Sequence, residues 1–329
     1  MPVTTRKLQS HPHASRIANG CALVIVAICI VLTILAESER LWWRAYLVAQ
    51  FRVEIFALCS LVAIALVSFR GSAVLATSVS LCALLSFSHL IPYYIPRTQP
   101  PMVSEKSLKL MQINLNVKNK QYEAVTAYIQ RIDPDAVLLA ELTPEWRDYL
   151  TTHLKTHPHS VTDSRIDTYG IGIYCKKAPK NASIEYLGKS GHPSIVAELQ
   201  GLEKSVHLLH THVQGPVKEQ FFAWHKGQFE AMQELVKELP PPLVVSGDLN
   251  ANAWTYLISD FLNKSGLVDT QWGRGIRLTW PTPFYWRYGF CPLLAIDHFF
   301  VSDDVIVKRK DLGIPNSSDH YPVVIEISL

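Results

Sequence analysis

The chain has 329 residues, 48% of them hydrophobic and 18% charged, with a net charge of +3. That length suits one large domain or two smaller ones, and the apolar share exceeds what a purely soluble domain usually needs, so part of the chain belongs in a membrane. The small net charge excludes a chain whose composition by itself declares a nucleic-acid binder.

The apolar excess sits at the front. Residues 17–36, IANGCALVIVAICIVLTILA, are uncharged and long enough to cross roughly 30 Å of hydrocarbon as a helix. Two further apolar stretches, 55–69 and 71–91, are broken only by Arg70. One helix through both would far exceed the bilayer, so a hairpin turning at Arg70 and Gly71 is expected. By its length the 55–69 stretch could instead be a buried soluble helix, but Trp42, Trp43, Tyr46, Tyr93 and Tyr94 flank the spans as interfacial aromatics do. A cleaved signal peptide is the alternative for the first stretch, but its apolar core is longer than a usual h-region and further spans follow. Residues 1–94 therefore read as a membrane region with three retained spans.

Arg6, Lys7 and Arg16 before the first span, and Arg70 between the others, favour those sides as cytoplasmic. Arg40, Arg44 and Arg52 argue the other way. With the N-terminal tail dominating, everything after about residue 92 lies outside the cytoplasm. The expected placement is a multi-pass protein of the cell (inner) membrane with a periplasmic domain. Cys21, Cys29, Cys59 and Cys82 lie in the spans as small hydrophobes. Cys175 and Cys291 form one disulfide or none, and their spacing does not decide.

Residues 95–107, IPRTQPPMVSEKS, read as a proline-rich linker, and 108–329 as the second domain. Its first strand is LKLMQINL, followed by a helix in which Tyr122, Val125, Ile129 and Ile132 recur at helical spacing until Asp133 and Pro134. DAVLLAEL is the next strand, and Thr143 with Pro144 opens a helix as cap and first residue. Further strands are expected at YGIGIYC, SIVAELQ, SVHLLHTHV, PLVVSGD, AIDHFFVS and YPVVIEISL. Many strands with helices between them predict an α/β or α+β layered domain. No Gly-rich nucleotide loop is present, which removes P-loop and dinucleotide-fold readings.

Polar residues stand at the strand ends: Asn114, Glu141, His210, His212, Asp248, Asn250, Asp297, His298, Asp319 and His320. Singly, each has a plain explanation; Asp248 or Asn250, for instance, could cap a helix starting near Ala253. As a set they supply oxygen ligands for a hard cation, a base for water, and donors for phosphate oxygens. His153, His157 and His159 could hold a metal, but with no Cys or acid at ligand spacing an exposed polar loop is the better reading.

These segments resemble the endonuclease/exonuclease/phosphatase superfamily, with the DNase I fold, over 109–329 and in the family's order: INL, LLAEL, THV, GDLN, IDHFFVS and SSDHYPV. GDLNANAW, LTWPTP and IDHFFVS look most like its bacterial membrane-anchored branch. The resemblance implies a four-layer sandwich of two packed mixed sheets flanked by helices, and Mg²⁺- or Mn²⁺-dependent attack of water on phosphorus. It implies that Glu141, Asn114 and Asp319 hold the ion and that Asp248 is the base. Asn250 and His212 would donate to the reacting phosphate, and Asp297 would orient His320 toward it. His210 replaces the family's Asn, and Asn116 stands where some nucleases have Asp, which leaves a second metal open.

Residues 279–294, TWPTPFYWRYGFCPLL, are aromatic and nearly uncharged, suited either to a membrane surface or to a lid packed on its own domain. No dense basic stripe marks a nucleic-acid groove. The expected partners are membrane lipids and a phosphorylated, lipid-linked or other extracytoplasmic substrate. A nuclease is the second reading, and a non-catalytic membrane receptor or scaffold the reading from another class.

Overall fold

The computed structural model describes residues 12–99, 105–282, 292–315 and 317–329. The first apolar run forms α1 (Pro12–Glu37), and α2 (Trp43–Ala49) bends by 64° into α3 (Arg52–Ser68). After a turn at Arg70 and Gly71 comes α4 (Ala73–Ser88), capped by the Ser72 hydroxyl. These helices pack through Cys29, Ala49, Cys59, Cys82 and Ala83, small residues that let backbones approach closely. Leu23, Val31, Leu61, Ile64, Leu81 and Leu84 face outward.

Where the sequence predicts three retained spans, the second of them short, only one described helix, over Asn19–Glu37, is by itself long and apolar enough to cross a membrane. The 16 residues of α4 reach only roughly 24 Å. The second apolar stretch passes the same test only together with α2, across the bend. The chain breaks there because Arg52 is buried: it pairs with Glu37, lies 3.1 Å from Glu39, and donates to the Ala36 carbonyl at 2.9 Å.

The second domain runs β1 (Leu108–Asn114), α5 (Tyr122–Ile132), β2 (Ala136–Ala140), α6 (Pro144–His153), β3 (His159–Asp163), β4 (Ile171–Cys175) and β5 (Lys180–Tyr186). It continues with β6 (Pro193–Leu199), β7 (Val206–His212), α7 (Glu219–Glu238), β8 (Leu243–Asp248), α8 (Tyr256–Ser265) and β9 (Val268–Asp269). The last strands are β10 (Asp297–Val301), β11 (Ile306–Leu312) and β12 (Val323–Ser328). Two six-stranded mixed sheets result, ordered β11-β12-β1-β2-β4-β3 and β5-β6-β7-β8-β10-β9.

Leu110, Leu138, Ile173, Leu208, Val244 and Phe299 pack between the sheets. Residues one place along face the other way: Met111, Val137 and Leu139 meet Val125, Ile129 and Trp146 of the helices, while Val245 meets Phe229 and Phe261. Helices outside, sheets inside, gives the four layers. The same alternation sends Gln112 and Asn114 of β1 into the space between the sheets.

The strands and helices read from the sequence are present, with Thr143 accepting from the Trp146 amide at the start of α6. Unread strands are mainly the exposed or charged ones, such as β3, β5 and β11. The long α7 was also not legible. Asn250 caps no helix: α8 begins at Tyr256 behind Thr255, and Asn250 instead has a positive φ of 49°. His153 stacks on Tyr149, His157 is buried against the Pro134 carbonyl, and His159 lies exposed on β3, so these three share no site. Cys175 is buried on β4; residues 283–291 of the aromatic loop, Cys291 among them, lie outside the described residues.

The two regions are tightly joined. Gln50 Oε1 accepts from the Asn252 amide at 2.8 Å, Asn252 Nδ2 donates to the Gln50 carbonyl at 2.6 Å, and Trp254 Nε1 reaches the Ala49 and Gln50 carbonyls. Glu39 accepts from the Tyr256 amide, Glu54 from the Leu293 amide, and Arg40 forms a bidentate pair with Asp260.

Candidate active site

The polar strand ends converge at one edge of the two sheets. β7 and β8 run parallel with His212 opposite Asp248, and β10 runs antiparallel to β8 with Asp297 opposite Asp248. From the other sheet, Asn114 ends β1 opposite Ala140, so Glu141 emerges beside it with a φ of 56°. Packing the sheets face to face then closes the constellation.

Asn114 Nδ2 lies 3.1 Å from Glu141 Oε1 and 3.0 Å from Asp248 Oδ2, joining the two acids. The Val117 amide donates to the other Glu141 oxygen at 2.9 Å. Asp248 Oδ1 accepts from the Asn250 amide at 3.0 Å, which fixes the turn after β8. Asp248 Oδ2 lies 3.4 Å from His212 Nε2 and 3.6 Å from His320 Nε2. Asn250 Nδ2 donates to the Val213 carbonyl at 2.9 Å and lies 3.3 Å from His212 Nε2.

His320 Nδ1 donates to Asp297 Oδ2 at 2.8 Å, and the other Asp297 oxygen accepts from Gln112 Nε2 at 3.0 Å. Ser246 in turn donates to Gln112. Asp319 is held by Asn116 Nδ2 at 2.8 Å and Trp280 Nε1 at 3.0 Å. All eight residues assigned by resemblance, Asn114, Glu141, His212, Asp248, Asn250, Asp297, Asp319 and His320, are therefore brought together. Gly247, one residue before Asp248, is required because a Cβ there would sit 1.8 Å from the Thr211 carbonyl oxygen.

His210 does not join them. It is buried between the sheets, within reach of the Ser246 and Leu139 carbonyls, and burial pushes its pKa down to about 4. Three residues at the site stand outside the motifs: Gln112, which holds Asp297, and Thr168 and Tyr169, which line the cleft. Gln112 could have been found, because it shares a strand face with Asn114. Tyr169, whose ring lies 4.9 Å from that of His212, has no such signal.

Burial raises the Asp248 carboxyl to about 7 against the pull of His320. Burial alone would lower His320, but the Asp297 and Asp248 carboxylates outweigh it and raise the imidazole to about 10. Burial lowers His212 and raises Glu141. The pattern is one poised carboxyl, one imidazolium and one neutral imidazole.

Ligand atoms of Asp248, Asp297 and His320 lie within 4.8 Å of one another. Asp297 and His320 are already bonded to each other, so they act as an orienting pair rather than as a free ligand set. Glu141 and Asp319 open instead onto a cleft of about 460 Å³, beside Asp248, Asn250, His212 and His320. Hard carboxylate oxygens there suit Mg²⁺ or Mn²⁺. Among the described residues lining the cleft there is no Lys or Arg.

A model of the Endonuclease/Exonuclease/phosphatase family matches residues 111–320, from the first strand to His320. The chain belongs to this family. Comparison with curated proteins gives no significant match. The D. rerio TDP2 solved with a single-strand DNA product is 18% identical, over 68% of this chain and 99% of that one, with a TM-score of 0.56. An endonuclease/exonuclease/phosphatase family protein from Bacteroides thetaiotaomicron is 16% identical over 67% and 94% of the two chains, with a TM-score of 0.55. The human Nocturnin catalytic domain, solved with a sulfate anion, is 16% identical over 71% and 99%, with a TM-score of 0.55. At these identities the likeness is one of fold, and it is the family's DNase I-like sandwich.

Proposed function

We propose that the protein is a membrane-anchored, divalent-metal-dependent phosphohydrolase that uses water to cleave a phosphoester or pyrophosphate. The carrying observation is the electrostatics of the cleft: Glu141, Asp248, Asp297 and Asp319 converge with only His320 raised toward the cationic form. A phosphate approaches such a cluster only with a cation present. Glu141, Asn114 and Asp319 would hold Mg²⁺ or Mn²⁺, which when bound polarises a phosphoryl oxygen and neutralises charge on the leaving oxygen.

The chain's own groups then have distinct tasks. Asp248 orients water and takes its proton, its raised pKa matching a general base that works near neutrality. Asn250, His212 and the His320 imidazolium face the reacting phosphate as donors. Asp297, fixed by Gln112, holds His320 with Nε2 turned toward the cleft.

The anchoring reading rests on the outward-facing apolar residues of α1, α3 and α4 and on the sidedness of charge. The second domain packs where α1 ends and α3 begins, while Arg70 marks the far end of the hairpin. With Arg6 and Lys7 before α1 and Arg16 near its start, the positive-inside bias favours a catalytic domain outside the cytoplasm.

The solved DNA-product complex of the fish relative favours a nuclease as the second reading. The lack of Lys and Arg among the described lining residues weighs against it, since strand binding is carried by such groups. A non-catalytic receptor would need neither a poised base nor a metal acid. The deciding experiment is turnover by the full-length protein, with and without Mg²⁺ or Mn²⁺, of plasmid DNA, inositol phosphates, phospholipids and polyprenyl pyrophosphate. Metal-dependent turnover lost in Glu141→Ala and Asp248→Ala supports the reading; metal-independent or absent turnover overturns it.

A further inference from the structure

The cleft has a chemically mixed lining. The catalytic acids and imidazoles share it with the apolar side chains of Leu47, Phe51, Pro216, Val217, Leu294 and Ile296. Leu47 lies on α2 and Phe51 in the break before α3, so the first region of the chain supplies part of the active-site wall.

That wall is fixed in place. Gln50, only 6% exposed, holds Asn252 through both its side chain and its backbone, four residues beyond the base Asp248. Asn252 is itself fully buried and its Oδ1 accepts from the Ala295 amide, two residues before Asp297. The break is thus bonded to both catalytic turns. From the same break, α3 carries an exposed apolar face of Leu58, Leu61 and Ile64. Leu47 and Phe51 of the cleft therefore belong to the same helical region as the surface that faces hydrocarbon in the proposed membrane placement.

We infer that this cleft takes a phosphorylated amphiphile drawn from the bilayer, its phosphate at Glu141 and Asp248 and the first part of its apolar chain against Leu47 and Phe51. The inference rests on the phosphohydrolase reading and adds the substrate class and the residues that select it. The cleft's size suits a phosphate group and the start of a chain, and the remainder stays in the membrane along α3. A polyanion such as a nucleic acid finds no Lys or Arg among the described lining residues. An apolar chain finds apolar side chains along an open cleft that would otherwise remain wet.

The test uses full-length protein in lipid nanodiscs with Mg²⁺ or Mn²⁺ and probe pairs that share a head group: polyprenyl pyrophosphate against isopentenyl pyrophosphate, and dioleoyl against dibutyryl phospholipids. The expected result is a long-to-short ratio of kcat/KM of roughly a hundred or more, with several methylenes buried per chain. Phe51→Ser and Leu47→Ser should lower that ratio roughly tenfold or more. Because the ratio is taken within one sample, partial misfolding cancels. Equal turnover of both members of the preferred pair, or a ratio unmoved by both variants, overturns the inference while leaving the hydrolase standing. Preference for DNA overturns it in favour of a nuclease. Failure to turn over any probe overturns the hydrolase reading and this inference together.

Discussion

His320 Nδ1 donates to Asp297 Oδ2 at 2.8 Å, and Asp297 is paired in register with Asp248 on the neighbouring strand. One backbone register thus sets Asp248, the proposed base, beside the carboxylate that holds His320. Replacing Asp248 by Asn keeps its shape but removes the proton acceptor. We expect kcat to fall roughly a hundred- to ten-thousand-fold, with Mg²⁺ affinity measured by calorimetry changed far less. Equal loss of metal affinity and turnover would assign Asp248 to the cation instead.

The pH profile follows from the two opposed shifts. Asp248 acts deprotonated, so kcat/KM should rise as pH passes its value of about 7. His320 acts protonated, so activity should fall as pH passes about 10. Asp297→Asn removes the leading carboxylate that raises His320, so the alkaline limb should move to lower pH. An alkaline limb that stays in place in this variant would show that His320 does not govern it.

Chelation of divalent metal with EDTA should abolish turnover, and Mg²⁺ or Mn²⁺ should restore it. Glu141→Gln should raise the metal concentration for half-maximal activity tenfold or more, because a neutral amide is a weaker ligand for a hard cation than the carboxylate it replaces. Unchanged metal dependence in this variant would move the site elsewhere in the cluster.

Gly247→Ala tests the close approach of β7 and β8. Its Cβ would meet the Thr211 carbonyl oxygen at 1.8 Å, backbone against backbone, so the strands must part. A destabilisation of about 1–3 kcal/mol or more is expected, read as a lowered Tm, with activity falling because Asp248 is the next residue.

His210 sets an acid limit to stability. Its folded value of about 4 lies below the ordinary 6.5, so the unfolded chain takes up a proton first. Its contribution is complete above 6.5 and is lost as pH falls toward 4. Between pH 7 and 5 the Tm should drop, and His210→Leu should flatten that slope while lowering Tm at pH 7, since the Leu139 and Ser246 carbonyls lose a partner.

By itself the sequence determined what local pattern can encode. The apolar run of α1, the Thr143 and Pro144 helix start, the core strands and the polar residues that end them were all legible, because periodicity, capping and burial act within a few residues. The order of the motifs carried the family. What only the tertiary structure decided depends on contacts far apart in the chain. Edge strands such as β5 and β11 form because a neighbour offers hydrogen bonds, and their exposed, charged sequences show no pattern of their own. Arg52, which reads as a loop charge, is buried against Glu37 and Glu39, and Gln112 becomes part of the site only when the sheets meet. Gln50 meets Asn252 across 202 positions of sequence, a relation that no local rule contains; it exists because two apolar surfaces and their unpaired backbone groups find each other only in the folded chain.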